Sequence, residues 1–143
     1  MSMSEVLDDY GRSGLHYAAS EGNEAEVSRL IELGEDVNLP DRDKWTPLHF
    51  AAQAYALGVV RLLIDAGCRV DSLDIYGNTP LSTAVFNCQD QGGAVIAVLR
   101  KAGADPHAEN DYGVSPYSLA KTIGNYDVAR HFSDIQERPG EDT

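Results

Sequence analysis

The most restrictive feature of this sequence is a short string that occurs four times. Its copies are Ser13-Gly14-Leu15-His16, Thr46-Pro47-Leu48-His49, Thr79-Pro80-Leu81 and Ser115-Pro116-Tyr117, which begin 33, 33 and 36 residues apart. A period of this length is typical of stacked supersecondary units, each of which buries its apolar face only against its neighbours. The repeat therefore predicts a solenoid.

Each copy carries the local signals of two helices. The Ser or Thr hydroxyl suits an N-cap, and the Pro that follows it in three copies suits the first helical position, where no N–H is needed. A second apolar segment follows in the first three copies and stops at a glycine placed as a C-terminal cap, at Gly34, Gly67 and Gly103. The predicted unit is turn, helix, turn, helix.

The 33-residue period, the string Thr46-Pro47-Leu48-His49-Phe50-Ala51 and the closing Ala102-Gly103-Ala104-Asp105 resemble the ankyrin repeat. The resemblance implies an all-α repeat solenoid, an ankyrin stack of helix-turn-helix units joined by β-hairpin loops, here called fingers. It implies one domain at 8–136, with repeats of about 8–40, 41–73, 74–109 and 110–136. Residues 1–7 are then a lead-in, and 137–143 a disordered acidic tail.

Both ends of the stack depart from the repeat pattern. Glu24, Glu26 and Arg29 stand at positions that are apolar in other repeats, and Ser118 and Lys121 stand where His49 and Ala52 stand in the second. Solenoids need polar caps because their terminal repeats have one neighbour only. We therefore expect a self-contained stack that is monomeric when free.

Composition narrows the classes of function. The net charge is −12, and residues 1–40 alone hold nine acidic and two basic residues. Phosphate contacts need clustered Lys and Arg, so a nucleic-acid ligand is not expected, whereas a basic protein would be attracted. No apolar run approaches the ~18 residues of a membrane span, and the amino terminus lacks the pattern of a secretory signal. A cytoplasmic location is the expectation.

Nothing in the sequence indicates catalysis, a metal or a cofactor. There is no H-E-x-x-H, C-x-x-C, G-x-x-x-x-G-K-[ST] or G-x-S-x-G string. His16 and His49 stand at the fourth residue of the helix-start string, where local hydrogen bonding explains them. Cys68 and Cys88 are interpreted as small side chains without a redox role. The chain is predicted not to be an enzyme.

The resemblance implies that partners bind at finger tips and on the exposed side of each first helix. The finger candidates are Asp9, Tyr10, Arg12, Arg42, Asp43, Trp45, Ile75, Tyr76, Asn78, Asp111, Tyr112 and Val114. The helix candidates are Glu21, Gln53, Phe86 and Asn87. Tyr and Trp favour recognition because they supply large contact areas with few rotatable bonds.

Two features distinguish this chain from a regular repeat. Three extra residues fall within 86–93, where they lengthen the turn between two helices and offer a further contact loop. Lys44 replaces the turn glycine in the second finger, and would be strained if the backbone there keeps a positive φ.

Two hypotheses of function stay open. The first is an acidic immunity or inhibitor protein that binds and neutralises a basic toxin or effector through its concave face; the short capped array is similar to small bacterial ankyrin-type immunity proteins. The second is a scaffold or adaptor that links two proteins in a complex. An inhibitor needs one strong site and an adaptor needs two.

Overall fold

A computed structural model describes residues 7–88, 93–123 and 126–135. These residues form eight α-helices and a 3₁₀ turn at Arg130–Phe132. The helices are α1 (Gly14–Ser20), α2 (Glu24–Glu32), α3 (Pro47–Ala54), α4 (Leu57–Asp65), α5 (Pro80–Asn87), α6 (Ala94–Lys101), α7 (Pro116–Ile123) and α8 (Tyr126–Ala129). None of the helices in these ranges is long and apolar enough to cross a membrane.

The helices stack in two rows, which confirms the all-helical solenoid. In the inner row α1 packs on α3, α3 on α5 and α5 on α7; in the outer row α2 packs on α4 and α4 on α6. The leucine of the helix-start string is fully buried in the first three repeats, at Leu15, Leu48 and Leu81. Each inner helix therefore contributes to one continuous core shared with its neighbours.

Helix ends follow the predicted signals. The Thr46 hydroxyl accepts the N–H of His49 at 3.4 Å, and the Thr79 hydroxyl accepts the N–H of Ser82 at 3.3 Å. Just past the ends of α2, α4 and α6, the three predicted cap glycines have φ values of 85°, 85° and 100°. Glycine adopts this left-handed conformation without steric cost, so the helices stop there.

The fingers are turns, defined here as residues 8–12, 41–45, 74–78 and 110–114. The described ranges contain no β-strand, so the hairpin loops implied by the resemblance are shorter than a paired ribbon. One backbone hydrogen bond joins each finger to the next. The bonds run from Arg42 N–H to Tyr10 O at 2.9 Å, from Ile75 N–H to Asp43 O at 3.0 Å, and from Asp111 N–H to Tyr76 O at 2.9 Å.

The polar residues at the two ends of the stack make different hydrogen bonds. Arg29 and Glu26 pair with each other on the exposed surface of α2 at 2.5 Å. In the last repeat the Ser118 hydroxyl accepts the N–H of Ser115 at 2.9 Å, so Ser118 replaces the capping histidine of earlier repeats. Residues 89–92 of the predicted insertion, residues 1–6 of the lead-in and the tail 137–143 lie outside the described residues.

Lys44→Gly is expected to stabilise the fold by about 0.5–1 kcal/mol, because Lys44 has φ 61° and glycine removes the steric cost there at a smaller cost in chain entropy. Chemical denaturation of both proteins measures the change. Asp43→Gly is the control: Asp43 has no positive φ, so glycine should destabilise at that position. An unchanged or lower stability of Lys44→Gly would contradict the strain at this turn.

Candidate functional site

Two buried histidines, His16 in α1 and His49 in α3, each hold their helix to the next repeat. His49 Nδ1 accepts the backbone N–H of Thr46 at 3.1 Å, and its Nε2–H donates to the carbonyl of Asn78 at 3.0 Å. His16 repeats this arrangement: Nδ1 accepts from Ser13 N–H at 3.0 Å, and Nε2–H lies 3.2 Å from the carbonyl of Trp45 in the next finger and 2.7 Å from that of Leu39 just before it. These partners require the neutral imidazole, since a proton on Nδ1 would face another donor.

The stability of the fold is therefore expected to fall in mild acid. Burial lowers the pKa of both His16 and His49. The pKa of histidine in the unfolded chain is about 6.5. Below that pH the unfolded chain binds protons that the folded chain does not bind, so the free energy of unfolding decreases as pH falls. Urea denaturation at pH 7.5 and pH 5.5 measures the change. A His49→Gln variant should lose less stability than the wild type between the two pH values. An equal loss in the two proteins would show that the buried histidines do not cause the pH dependence.

A side-chain ladder connects the base of each finger to the turn of the next. The residues at its steps are equivalent positions of successive repeats. Arg12 Nε donates to Asp41 Oδ2 at 3.2 Å, Trp45 Nε1–H donates to Asp74 Oδ2 at 3.1 Å, and Asn110 Nδ2–H donates to Asn78 Oδ1 at 2.9 Å. The ladder fixes the fingers at the edge of the concave face, which we define as the finger loops and the exposed side of the inner helices.

Arg12 is held within the protein. Its guanidinium lies 4.8 Å from the ring centre of Tyr10 and 5.1 Å from that of Phe50, besides its ion pair with Asp41. The two rings and the carboxylate stabilise the cation in this position. Arg12 is thus part of the wall of the concave face.

Trp45 lies at the base of its finger and is half-buried. Its ring stacks on His49 at a centroid distance of 5.4 Å and meets the edge of Phe50 at 5.0 Å. Together with the bond to Asp74, these contacts fix the indole. The predicted aromatic tip is therefore a rigid wall residue.

The largest concentration of predicted site residues lines a cavity of about 540 Å³ between the second, third and fourth repeats, here called the distal cavity. Phe86 and Tyr112 stand at it with exposed fractions of 71% and 74%. The predicted residues that line it are Trp45, Gln53, Asn78, Phe86, Asn87, Tyr112 and Val114. Exposed aromatic rings beside polar side chains are typical of recognition surfaces.

A smaller cavity of about 270 Å³, the proximal cavity, is also lined by Trp45. Its predicted lining residues are Arg12, Asp43, Trp45, Gln53, Ile75 and Tyr76. Trp45 and Gln53 line both cavities. The concave face is therefore two adjoining depressions that share these two residues.

Five predicted residues line neither of these two cavities. They are Asp9, Tyr10, Glu21, Arg42 and Asp111, and all are exposed. Tyr10 lies beneath Arg12, and Glu21 is the C-cap of α1. Asp9, Arg42 and Asp111 lie on finger turns, where they contribute charge around the cavities.

Sequence reasoning missed several lining residues. They are Asp74, Ser82, Thr83, Asn110 and Leu119 in the distal cavity, and Asp41 and Phe50 in the proximal one. Comparing the finger-base position across repeats, where Arg12, Trp45 and Asn78 follow one another, is the signal that identifies the first Asp or Asn of the next finger turn as their partner.

A third cavity, of about 610 Å³, lies among the segments that connect successive repeats and contains none of the predicted site residues. Lys44 and Arg69 line it together with Asp71 and Leu73. Cys68, nearby in sequence, is partly buried, and burial raises its pKa to about 11. A thiol with that pKa stays protonated at neutral pH and is a poor nucleophile.

Comparison with known proteins identifies relatives that share part of this sequence. The chain is 33% identical over 123 residues to Neurogenic locus notch homolog protein 1 of Xenopus tropicalis, covering 85% of this chain and 5% of that protein. It is 27% identical over 119 residues to Transient receptor potential cation channel subfamily A member 1 of Homo sapiens, covering 83% and 10%. Protein phosphatase 1 regulatory subunit 12A of Mus musculus is 38% identical over 74 residues, 52% of this chain and 7% of that protein.

These relatives are much longer than this chain, which spans a tenth or less of each of the three. What they share with it is the repeat region. The family described as Ankyrin repeats (3 copies) matches residues 15–110, which contain α2 to α6 and all of α1 except its first residue. With its period, its capped helix pairs and its finger ladder, this chain belongs to the ankyrin-repeat family, whose members are protein-binding modules.

Proposed function

We propose that this protein is an acidic inhibitor that binds one basic protein through its concave face and blocks its activity, as an immunity protein blocks a toxin or effector. The observation that carries the proposal is the pair of adjoining concave cavities, with Phe86 and Tyr112 exposed at one of them. Large rigid aromatic groups beside polar acceptors supply the anchors of a tight interface.

Charge supports a basic partner. Asp9, Asp43 and Asp111 are exposed on three of the fingers, and the whole chain carries −12. Complementary charge accelerates encounter and makes it sensitive to salt. In this proposal the protein is a non-enzymatic monomer of four repeats that acts in the cytoplasm, with neither nucleic acid nor membrane as its ligand.

The second candidate is a scaffold or adaptor. It is favoured by the relatives, in which the matched repeats form a small part of a longer protein, and by one whose name describes a regulatory subunit of a phosphatase. An adaptor would use the concave face for one protein and a second surface, such as the connecting segments around Lys44 and Arg69, for another.

Affinity capture from the source cell at low and at high salt, followed by mass spectrometry, tests the proposal. The inhibitor account predicts one dominant basic protein that is lost at high salt and whose activity stops when this chain is added. Two proteins retained together in one complex would favour the adaptor. Capture of acidic proteins only, with unaltered activity, would contradict the inhibitor.

A further inference from the structure

The finger ladder leaves one carboxylate without a cationic partner. At the first step Arg12 neutralises Asp41; at the equivalent second step the donor is the neutral indole of Trp45. Asp74 is only 7% exposed, and no basic side chain in the described ranges forms an ion pair with it. The hydrogen bonds of this buried carboxylate therefore come from neutral groups only, and a cationic donor would complete its set of partners.

The two carboxylate oxygens of Asp74 accept different numbers of hydrogen bonds. Oδ1 accepts the backbone N–H groups of Tyr76 and Asn78, both at 2.9 Å, and these bonds form the finger turn. Oδ2 accepts only the indole N–H of Trp45. A carboxylate oxygen can accept a second hydrogen bond, so Oδ2 has capacity left for a donor from the distal cavity, which Asp74 lines.

The other walls of the distal cavity suit a planar cation. Trp45, Phe86 and Tyr112 contribute three aromatic rings to its lining, and Phe86 and Tyr112 are largely exposed. The hydroxyl of Thr83 donates to the carbonyl of Thr79 at 3.3 Å, which leaves its oxygen able to accept. Aromatic rings, a carboxylate and neutral acceptors are groups that bind a guanidinium. The protein's own Arg12 shows such a setting one repeat away, where it lies near two rings and a carboxylate.

We propose that the distal cavity binds an arginine side chain of the protein partner, with the guanidinium donating to Asp74 and its faces against the aromatic rings. The inference rests on the proposed function, because it assigns one contact of the partner that the concave face binds. Arginine fits better than lysine, since its planar group stacks on rings while it donates in several directions.

An NMR titration tests the pocket without knowledge of the partner. The probe is the peptide acetyl-Gly-Arg-Gly-amide, and the matched probe carries citrulline, which has the same shape without the charge. With ¹⁵N-labelled protein, the arginine peptide should shift the Trp45 indole N–H and the side-chain amides of Asn78 and Asn110 saturably. The citrulline peptide should shift them at least about tenfold more weakly, the difference that a charge-assisted hydrogen bond makes.

Asp74→Asn is the variant that removes the charge, and it also replaces Oδ2, the acceptor of the Trp45 indole N–H, with an amide NH2 group. It should fold, because Asn110 builds the same turn in the fourth finger by accepting the N–H groups of Tyr112 and Val114 at 2.9 Å each. A thermal melt checks the fold. The variant should bind the arginine peptide about tenfold or more weakly than the wild type, whereas Asp65→Asn, at an exposed position of α4 that lines neither concave cavity, should bind as the wild type does.

Equal shifts with both peptides, or no shift with either, would overturn the arginine pocket. So would equal affinity of Asp74→Asn and wild type for the arginine peptide. Failure of the wider proposal is distinguishable, because it is measured on the captured protein. If Phe86→Ala weakens binding of the captured protein while Asp74→Asn does not, only the arginine pocket is wrong. If neither variant weakens that binding, the concave-face proposal fails as well.

Discussion

Replacing His49 by alanine is expected to lower the free energy of unfolding by about 3 kcal/mol, because two buried backbone groups lose their partner at once. Thr46 N–H loses the acceptor Nδ1, and the carbonyl of Asn78 loses the donor Nε2–H, which is its link to the second repeat. The Trp45 ring also loses the imidazole on which it stacks. An unsatisfied buried polar group alone costs about 1–3 kcal/mol.

Urea denaturation monitored by circular dichroism measures this loss. His107→Ala is the control, because His107 is exposed and forms no bridge of this kind between repeats. Its ring meets only the edge of Tyr117, so the variant should lose less than about 1 kcal/mol. A His49→Ala variant as stable as His107→Ala would show that the histidine bridges do not couple the repeats.

The double substitution Phe86→Ala and Tyr112→Ala is expected to weaken binding of the captured partner by about 100-fold, because exposed aromatic groups at a cavity act as interface anchors. Both side chains are more than two-thirds exposed, so their removal should leave the fold intact. Isothermal titration calorimetry of the wild type and the variant against the captured partner measures the change.

Leu33→Ala with Leu73→Ala is the matched control. These leucines are exposed to 57% and 54%, so they offer comparable apolar surface, but neither lines a concave cavity. The control should bind within about threefold of the wild type, as most substitutions outside an interface do. Equal losses in the two variants would mean that apolar surface in general, and not the concave face, holds the partner.

The helices could be predicted because their signals are local. A Thr before a Pro begins a helix, and a glycine past its last turn ends it, whatever surrounds them. The roles of His16 and His49 followed from the same string, although its sequence does not show that their Nε2–H groups reach the next repeat. Lys44 was predicted to be strained on the condition of a positive φ, and the backbone meets that condition.

The site was harder to predict because it depends on contacts about 29 residues apart in the chain. Trp45 was predicted to be an aromatic tip; its hydrogen bond to Asp74 instead makes it a fixed wall. Arg12 was predicted to contact a partner, and the structure adds that it pairs with Asp41 and lies against two rings. Charge alone did not separate Asp41 from Asp74, since only the preceding finger decides which of them is neutralised.

The most direct test of the concave-face account uses the single tryptophan of the chain as a reporter. Trp45 lines both concave cavities, so 5-fluorotryptophan at this position places one fluorine probe in the proposed interface. When the captured partner is added and sedimentation confirms a complex, the account predicts that the ¹⁹F resonance moves to a new position. A complex that forms while the Trp45 resonance keeps its shift would contradict binding through this face.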